Sequence, residues 1–111
     1  MNNLSGIAEV LIPASSLKDS ESFYHCLGYE TVAEHDWGMI QMTKLSTPPI
    51  SLISKKFFPS VSIGFVSDDL DQCVKQLEQN KISISEDDRS SQPPRIVFSD
   101  PDGLEIHIFG V

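Results

Sequence analysis

Read for hydrophobic periodicity, this chain spells one series of elements twice, and that repeat limits the fold more than any other feature. The segment GIAEVLIPA (6–14) is rich in Ile, Val and Leu and reads as a strand with Ala8, Val10 and Ile12 on one face and Ile7, Glu9 and Leu11 on the other. Ser16 followed by Asp19 signals a helix start, Leu17, Ser20, Tyr24 and Leu27 give its stripe with Phe23 widening it, and Gly28 stops it. Three strands follow, at 29–35, 37–43 and 49–54, separated by Asp36 and the STPP stretch. After a joint at Lys55 to Pro59 the order returns: a strand at 61–67, a helix at 68–81 with Leu70, Cys73, Val74 and Leu77 on one side, and strands at 82–86, 95–100 and 104–110. A constant offset of 53 positions separates Leu17 from Leu70 and Glu9 from Ser62. Identity between the halves is slight, so the repeat is architectural.

The fold class this implies is α+β: two βαβββ modules, over about 5–54 and 60–111, in one domain spanning 1–111. At 111 residues and 40% hydrophobic, the chain can build a core without a disulfide or metal staple. Cys26 and Cys73 both fall at apolar helix positions and read as small core residues. Sixteen acidic residues against eight basic give a net charge of −8. Such a surface repels phosphate backbones and anionic lipid, which argues against nucleic acid and membrane partners. No leader-like start and no apolar run of membrane-spanning length occurs, so a soluble cytoplasmic protein is expected.

Several residues invite chemistry. His107 sits mid-strand, sharing a face with Glu105 and Phe109. Ser62 and Gly64 fall on the corresponding face of the strand at 61–67, and Gly64 leaves space there. Either Trp37, Met39 and Gln41 or Gly38, Ile40 and Met42 face the same way. Trp37, the sole tryptophan, suits stacking on a planar ligand or packing at a sheet end. Arg95 suits an anionic ligand, or more simply a surface pair with Asp87 or Asp88. Asp100 and Asp102 resemble paired catalytic carboxylates, but Asp-Pro-Asp-Gly with Pro second and Gly fourth is type I turn chemistry.

Three stretches, EVLIPASSLKDSESFYHCLGYE (9–30), SIGFVSDDLDQCVKQL (62–77) and FSDPDGLEIHIF (98–109), resemble the vicinal oxygen chelate superfamily of glyoxalase I, bleomycin-resistance proteins, fosfomycin-resistance enzymes and extradiol dioxygenases. The resemblance implies paired βαβββ modules whose strands curl into an open, barrel-like mixed sheet around a cleft, and commonly a homodimer. It also implies a divalent ion held by the first and last strands of each module. The matching positions here are Glu9, Ser51, Ser62 and His107, where the family carries His or Gln, Glu, His and Glu. Two good ligands and two serine hydroxyls make an incomplete set, since a catalytic ion generally needs three protein donors. His25, on the first helix, and His35, in a turn, read as solvated rather than as the third.

The function expected is therefore a small-molecule-binding protein of the glyoxalase, bleomycin-resistance or dioxygenase-like type. Its cofactor is none or a weakly held divalent metal. Glu9 and His107 would anchor the ligand or act as acid and base, meeting in the cleft, where Glu9 would raise the His107 pKa. Trp37, Ser51, Ser62, Arg95 and Phe109 would line the ligand site. The alternatives are a metal-dependent lyase, thiol transferase or dioxygenase using Glu9 and His107, and a non-catalytic interaction subunit.

Overall fold

The computed structural model describes residues 3–111. Its elements follow the expected order: β1 (Glu9–Ala14), α1 (Leu17–Cys26), β2 (Glu30–His35), β3 (Met39–Thr43), β4 (Ile50–Ser54), β5 (Ser62–Ser67), α2 (Leu70–Gln79), β6 (Ile84–Asp88), β7 (Arg95–Ser99) and β8 (Glu105–Gly110). The fold is α+β, built of two βαβββ modules. By internal contacts the chain divides into Glu9–Val61 and a second unit of Ser62–Val111 together with the N-terminal residues.

In the first module the strands run in the order β2-β3-β4-β1, with β1 parallel to β4 and the other neighbours antiparallel. Ser16 caps α1 as its sequence signals, its hydroxyl accepting from the Asp19 amide at 3.2 Å. Ile40, Met42, Ile50 and Leu52 form the buried core, with Val10, Ile12, Leu17, Tyr24 and Tyr29 packed on it. Only part of the expected α1 stripe reaches this core. Phe23 is 60% and Leu27 48% exposed, no α1 residue is fully buried, and Cys26 is exposed rather than in the core. The physical reason is that Leu17 and Tyr24 alone span the contact, and Tyr24 meets Tyr29 edge-on at 6.0 Å.

The second module repeats the topology as β6-β7-β8-β5, with β5 parallel to β8. Its helix buries a full stripe, Leu70, Cys73, Val74 and Leu77, against Ile96 and Ile108. Each fully buried aliphatic side chain of this kind contributes roughly 1.5–3 kcal/mol. The strand expected over 6–14 is in fact divided. Glu9 begins β1, whereas the preceding residues pair with β5: the Ala8 amide donates to Gly64 O at 2.7 Å, the Ser5 amide to Val66 O at 2.9 Å, and Leu4 bridges Ser67 antiparallel. Asn3 Nδ2 completes this tie by donating to Ser67 Oγ at 2.9 Å and to Asp69 O at 2.8 Å. The Asp-Pro-Asp-Gly stretch is a turn. The Gly103 amide donates to Asp100 O, and the Asp100 carboxylate accepts from the Asp102 and Leu104 amides at 2.9 and 2.8 Å. Gly103 adopts φ +89°, which a side chain disfavours.

Candidate functional site

Each module turns one sheet face to its helix, and the candidate residues stand on the other. Successive side chains on a strand alternate between faces, and residues paired across a ladder share one. In the first module Ile40 and Met42 take the helix side. Met39 and Gln41 therefore share the other face with Leu11, Ser51 and Ile53, which settles the two sets left open for β3. Glu9 lies two positions before Leu11 on that face. Burial raises its carboxyl pKa, and a hydrogen bond from Ser51 partly offsets the rise. His35 also belongs here, opposite Met39, with its Nε2 3.2 Å from Gln41 Oε1. Trp37 sits in the β2–β3 turn, 54% exposed, with ring centres 6.0 Å from Phe57 and 6.1 Å from His35.

In the second module the ladder registers set out three rows. The first runs Ser62, Glu105, Ser99; the second Gly64, His107, Val97, Glu86; the third Val66, Phe109, Arg95, Asp88. A register shift between Ile84 and Glu86 puts Glu86 on this face. His107 is 2% exposed, and its Nε2 lies 2.7 Å from Glu105 Oε1. A neutral imidazole in this contact carries its proton on Nε2 and donates to the carboxylate, leaving Nδ1 as the acceptor nitrogen. Burial pushes the His107 pKa below its ordinary 6.5, against the opposing pull of Glu105. That is the reverse of the rise expected from a Glu9 partner. The Phe109 ring stacks on the imidazole at 5.9 Å and 19°. Arg95 pairs with Glu86 at 2.8 Å, whereas Asp87 is taken by Arg89 at 2.8 Å; Arg89 also reaches Asp71 in α2.

Four polar side chains are buried among the described residues: Ser51, Ser62, Ser67 and His107. Three of them, all but Ser67, stand at the positions matched to the family's ligand set. Ser67 is spent locally, accepting from Asn3, the Asp69 amide and the Cys73 thiol. Ser62 Oγ has no hydrogen-bond partner among the described residues. The donors do not suit a resident metal ion. Two of the four matched groups are hydroxyls, which hold their protons at neutral pH, and no group of three His, Cys, Asp or Glu side chains lies close enough to hold an ion among the described residues. An apolar cavity beside the Asp100 turn, lined by Ile82, Phe98 and Ile106, offers little polar chemistry, because Ser85 there donates to Val97 O and Asp100 caps the turn.

No family model matches the chain, and no curated protein does. Solved structures do. It superposes with a TM-score of 0.79 on a protein described as an NAD-dependent benzaldehyde dehydrogenase from Legionella pneumophila, at 19% identity over 93% of this chain and 97% of that one. Methylmalonyl-CoA epimerase from Mycobacterium tuberculosis gives 0.75 at 17% identity over 97% and 89%. A glyoxalase/bleomycin resistance protein/dioxygenase superfamily member from Vibrio splendidus 12B01 gives 0.69 at 16% identity over 92% and 96%. The chain has the vicinal oxygen chelate fold. At these identities the likeness speaks for the fold, and the activities of these proteins remain their own. No helix of the described residues is long and apolar enough to cross a membrane.

Sequence reasoning singled out Glu9, Ser51, Ser62, Arg95 and His107 but overlooked Glu105 and Glu86 as working partners. The signal for Glu105 was present in the i, i+2 spacing to His107. Glu86 was hidden by the register shift, which no periodicity reveals.

Proposed function

We propose that this protein binds a small organic molecule on the sheet faces turned away from its helices, as a glyoxalase/bleomycin-resistance-type protein that works without the full metal site. One observation carries the reading: three of the four buried polar side chains among the described residues stand at the family's ligand positions, and one of them, Ser62, buries a hydroxyl that meets no hydrogen-bond partner among the described residues. An unsatisfied hydroxyl and a desolvated imidazole cost free energy, about 1–3 kcal/mol for an unpaired buried polar group, unless a ligand repays it. Within the second module the polar anchors are His107 with Glu105, and Ser62, Arg95 and Phe109 complete its ligand contacts; within the first, taken by itself, Glu9 with Ser51 is the polar anchor and Trp37 the aromatic contact. A soluble, cytoplasmic homodimer is part of the same reading, and sedimentation equilibrium measures its stoichiometry.

The test is a thermal-shift screen of a broad metabolite and antibiotic panel against the wild type and the Glu9→Ala and His107→Ala variants. A ligand that stabilises the wild type and loses its effect in His107→Ala supports the reading. A panel with no stabilising member argues instead for an interaction subunit. Elemental analysis of protein purified without chelator runs alongside. Stoichiometric zinc, nickel, iron or manganese, lost in the Glu9→Ala/His107→Ala double variant, would replace this reading with a metalloenzyme.

A further inference from the structure

The second module's sheet face turned away from α2 carries more carboxylates than cations; Ser62, Val97 and His107 on it are buried, while Glu105 and Arg95 keep partly exposed side chains. Its ionisable side chains are Glu86, Asp88, Glu105, Arg95 and His107. Three carboxylates thus face one guanidinium, which is already paired with Glu86. Glu105 keeps a 39% exposed side chain while holding His107, so its carboxylate remains within reach of solvent and ligand. Directly across the β5–β8 ladder from Glu105 stands Ser62, 0% exposed, with a hydroxyl that meets no partner among the described residues. In the row beyond His107, Phe109 and Val66 supply an apolar surface, and the Phe109 ring lies nearly parallel to the imidazole.

An anion entering here would meet a net excess of like charge. The complementary ligand is a donor with positive charge and an apolar body. We propose that this face takes a small organic ammonium ion, its charged nitrogen on Glu105 beside Ser62 and its apolar part against Phe109 and Val66. This names the ligand class of the binding reading above and rests on it. Charge-assisted hydrogen bonds are about twice as strong as neutral ones, so the charge should dominate selection among ligands of equal shape.

Three probes of one shape separate the possibilities: benzylammonium, benzyl alcohol and benzoate, titrated into the full chain at neutral pH and followed by the NMR signals of His107 and Phe109. Benzylammonium should bind at least about tenfold more tightly than benzoate. Its affinity should fall as salt rises from about 0.01 M to about 1 M, while that of benzyl alcohol holds. Glu105→Gln, which retains an acceptor for His107, should weaken benzylammonium about tenfold and benzyl alcohol by much less. Benzoate binding as tightly as benzylammonium, or indifference of benzylammonium to Glu105→Gln, overturns the ammonium assignment alone. Should none of the three move the His107 signals, the binding reading for this face falls with it.

Discussion

Ser62 and Ser67 stand at the two ends of β5, 0% and 1% exposed, and differ in what their hydroxyls meet. Replacing each with alanine removes the same atom from the same degree of burial, so the transfer term nearly cancels between them. Ser67 Oγ accepts from Asn3 Nδ2 at 2.9 Å, the Asp69 amide at 3.0 Å and Cys73 Sγ at 3.3 Å. Deleting it orphans the Asp69 amide at the cap of α2, and the expected cost is about 2–3 kcal/mol. Ser62 Oγ has no such partner among the described residues, so its removal deletes an unrepaid desolvation and should be neutral or stabilising by up to about 1 kcal/mol. The two variants should therefore differ by about 3 kcal/mol, a factor of roughly 150 in the unfolding equilibrium. Urea unfolding measures this directly. With slopes of about 1–3 kcal/mol per molar, the midpoints should stand at least about 1 M apart, with Ser62→Ala at or above the wild type. If Ser62→Ala lowers the midpoint as far as Ser67→Ala, its hydroxyl is satisfied in the folded protein, by an internal water for instance. The argument that Ser62 waits for a ligand then fails.

Other outcomes follow from the same geometry. The folded pKa of His107 lies below 6.5, so its contribution is whole above about pH 6.5 and is lost as pH falls from there through the folded value. Urea midpoints measured down a pH series should drop over that window, and the drop should be smaller in His107→Gln. Glu9 has a raised pKa, so the folded state is penalised once pH passes the ordinary carboxyl value of 4.5, and Glu9→Gln should raise the melting temperature at pH 7 but not at about pH 4. A Cβ on Gly110 would meet Pro94 Cγ at 2.9 Å and Leu70 Cδ1 at 3.1 Å, so Gly110→Ala should cost about 1–3 kcal/mol by calorimetry. Asp100→Ala should cost about 1–2 kcal/mol, because two turn amides lose their acceptor, and chemical denaturation checks it.

The strand faces were largely legible because side-chain direction in a strand repeats every two residues. Thus Ser62, His107 and Phe109 could be assigned one side without coordinates, and the α2 stripe of Leu70, Cys73, Val74 and Leu77 was readable from its 3.6-residue period. The α1 stripe was less so. Leu17 and Tyr24 pack while Phe23 and Leu27 stay exposed, since helical spacing shows which residues align but not how wide a surface will cover them. The same gap misplaced Cys26.

Element order, module repeat and turn chemistry were thus written in the sequence, because they depend on local periodicity and on residues such as Gly103 whose backbone needs are their own. Pairing was decided only in three dimensions. Residues before Glu9 join β5, Arg95 takes Glu86 rather than Asp87 or Asp88, and His107 finds Glu105. These choices hinge on register and on a one-residue shift in β6, and desolvation then sets the sign of the His107 pKa. Register and burial are properties of neighbours distant along the chain, which no local pattern carries.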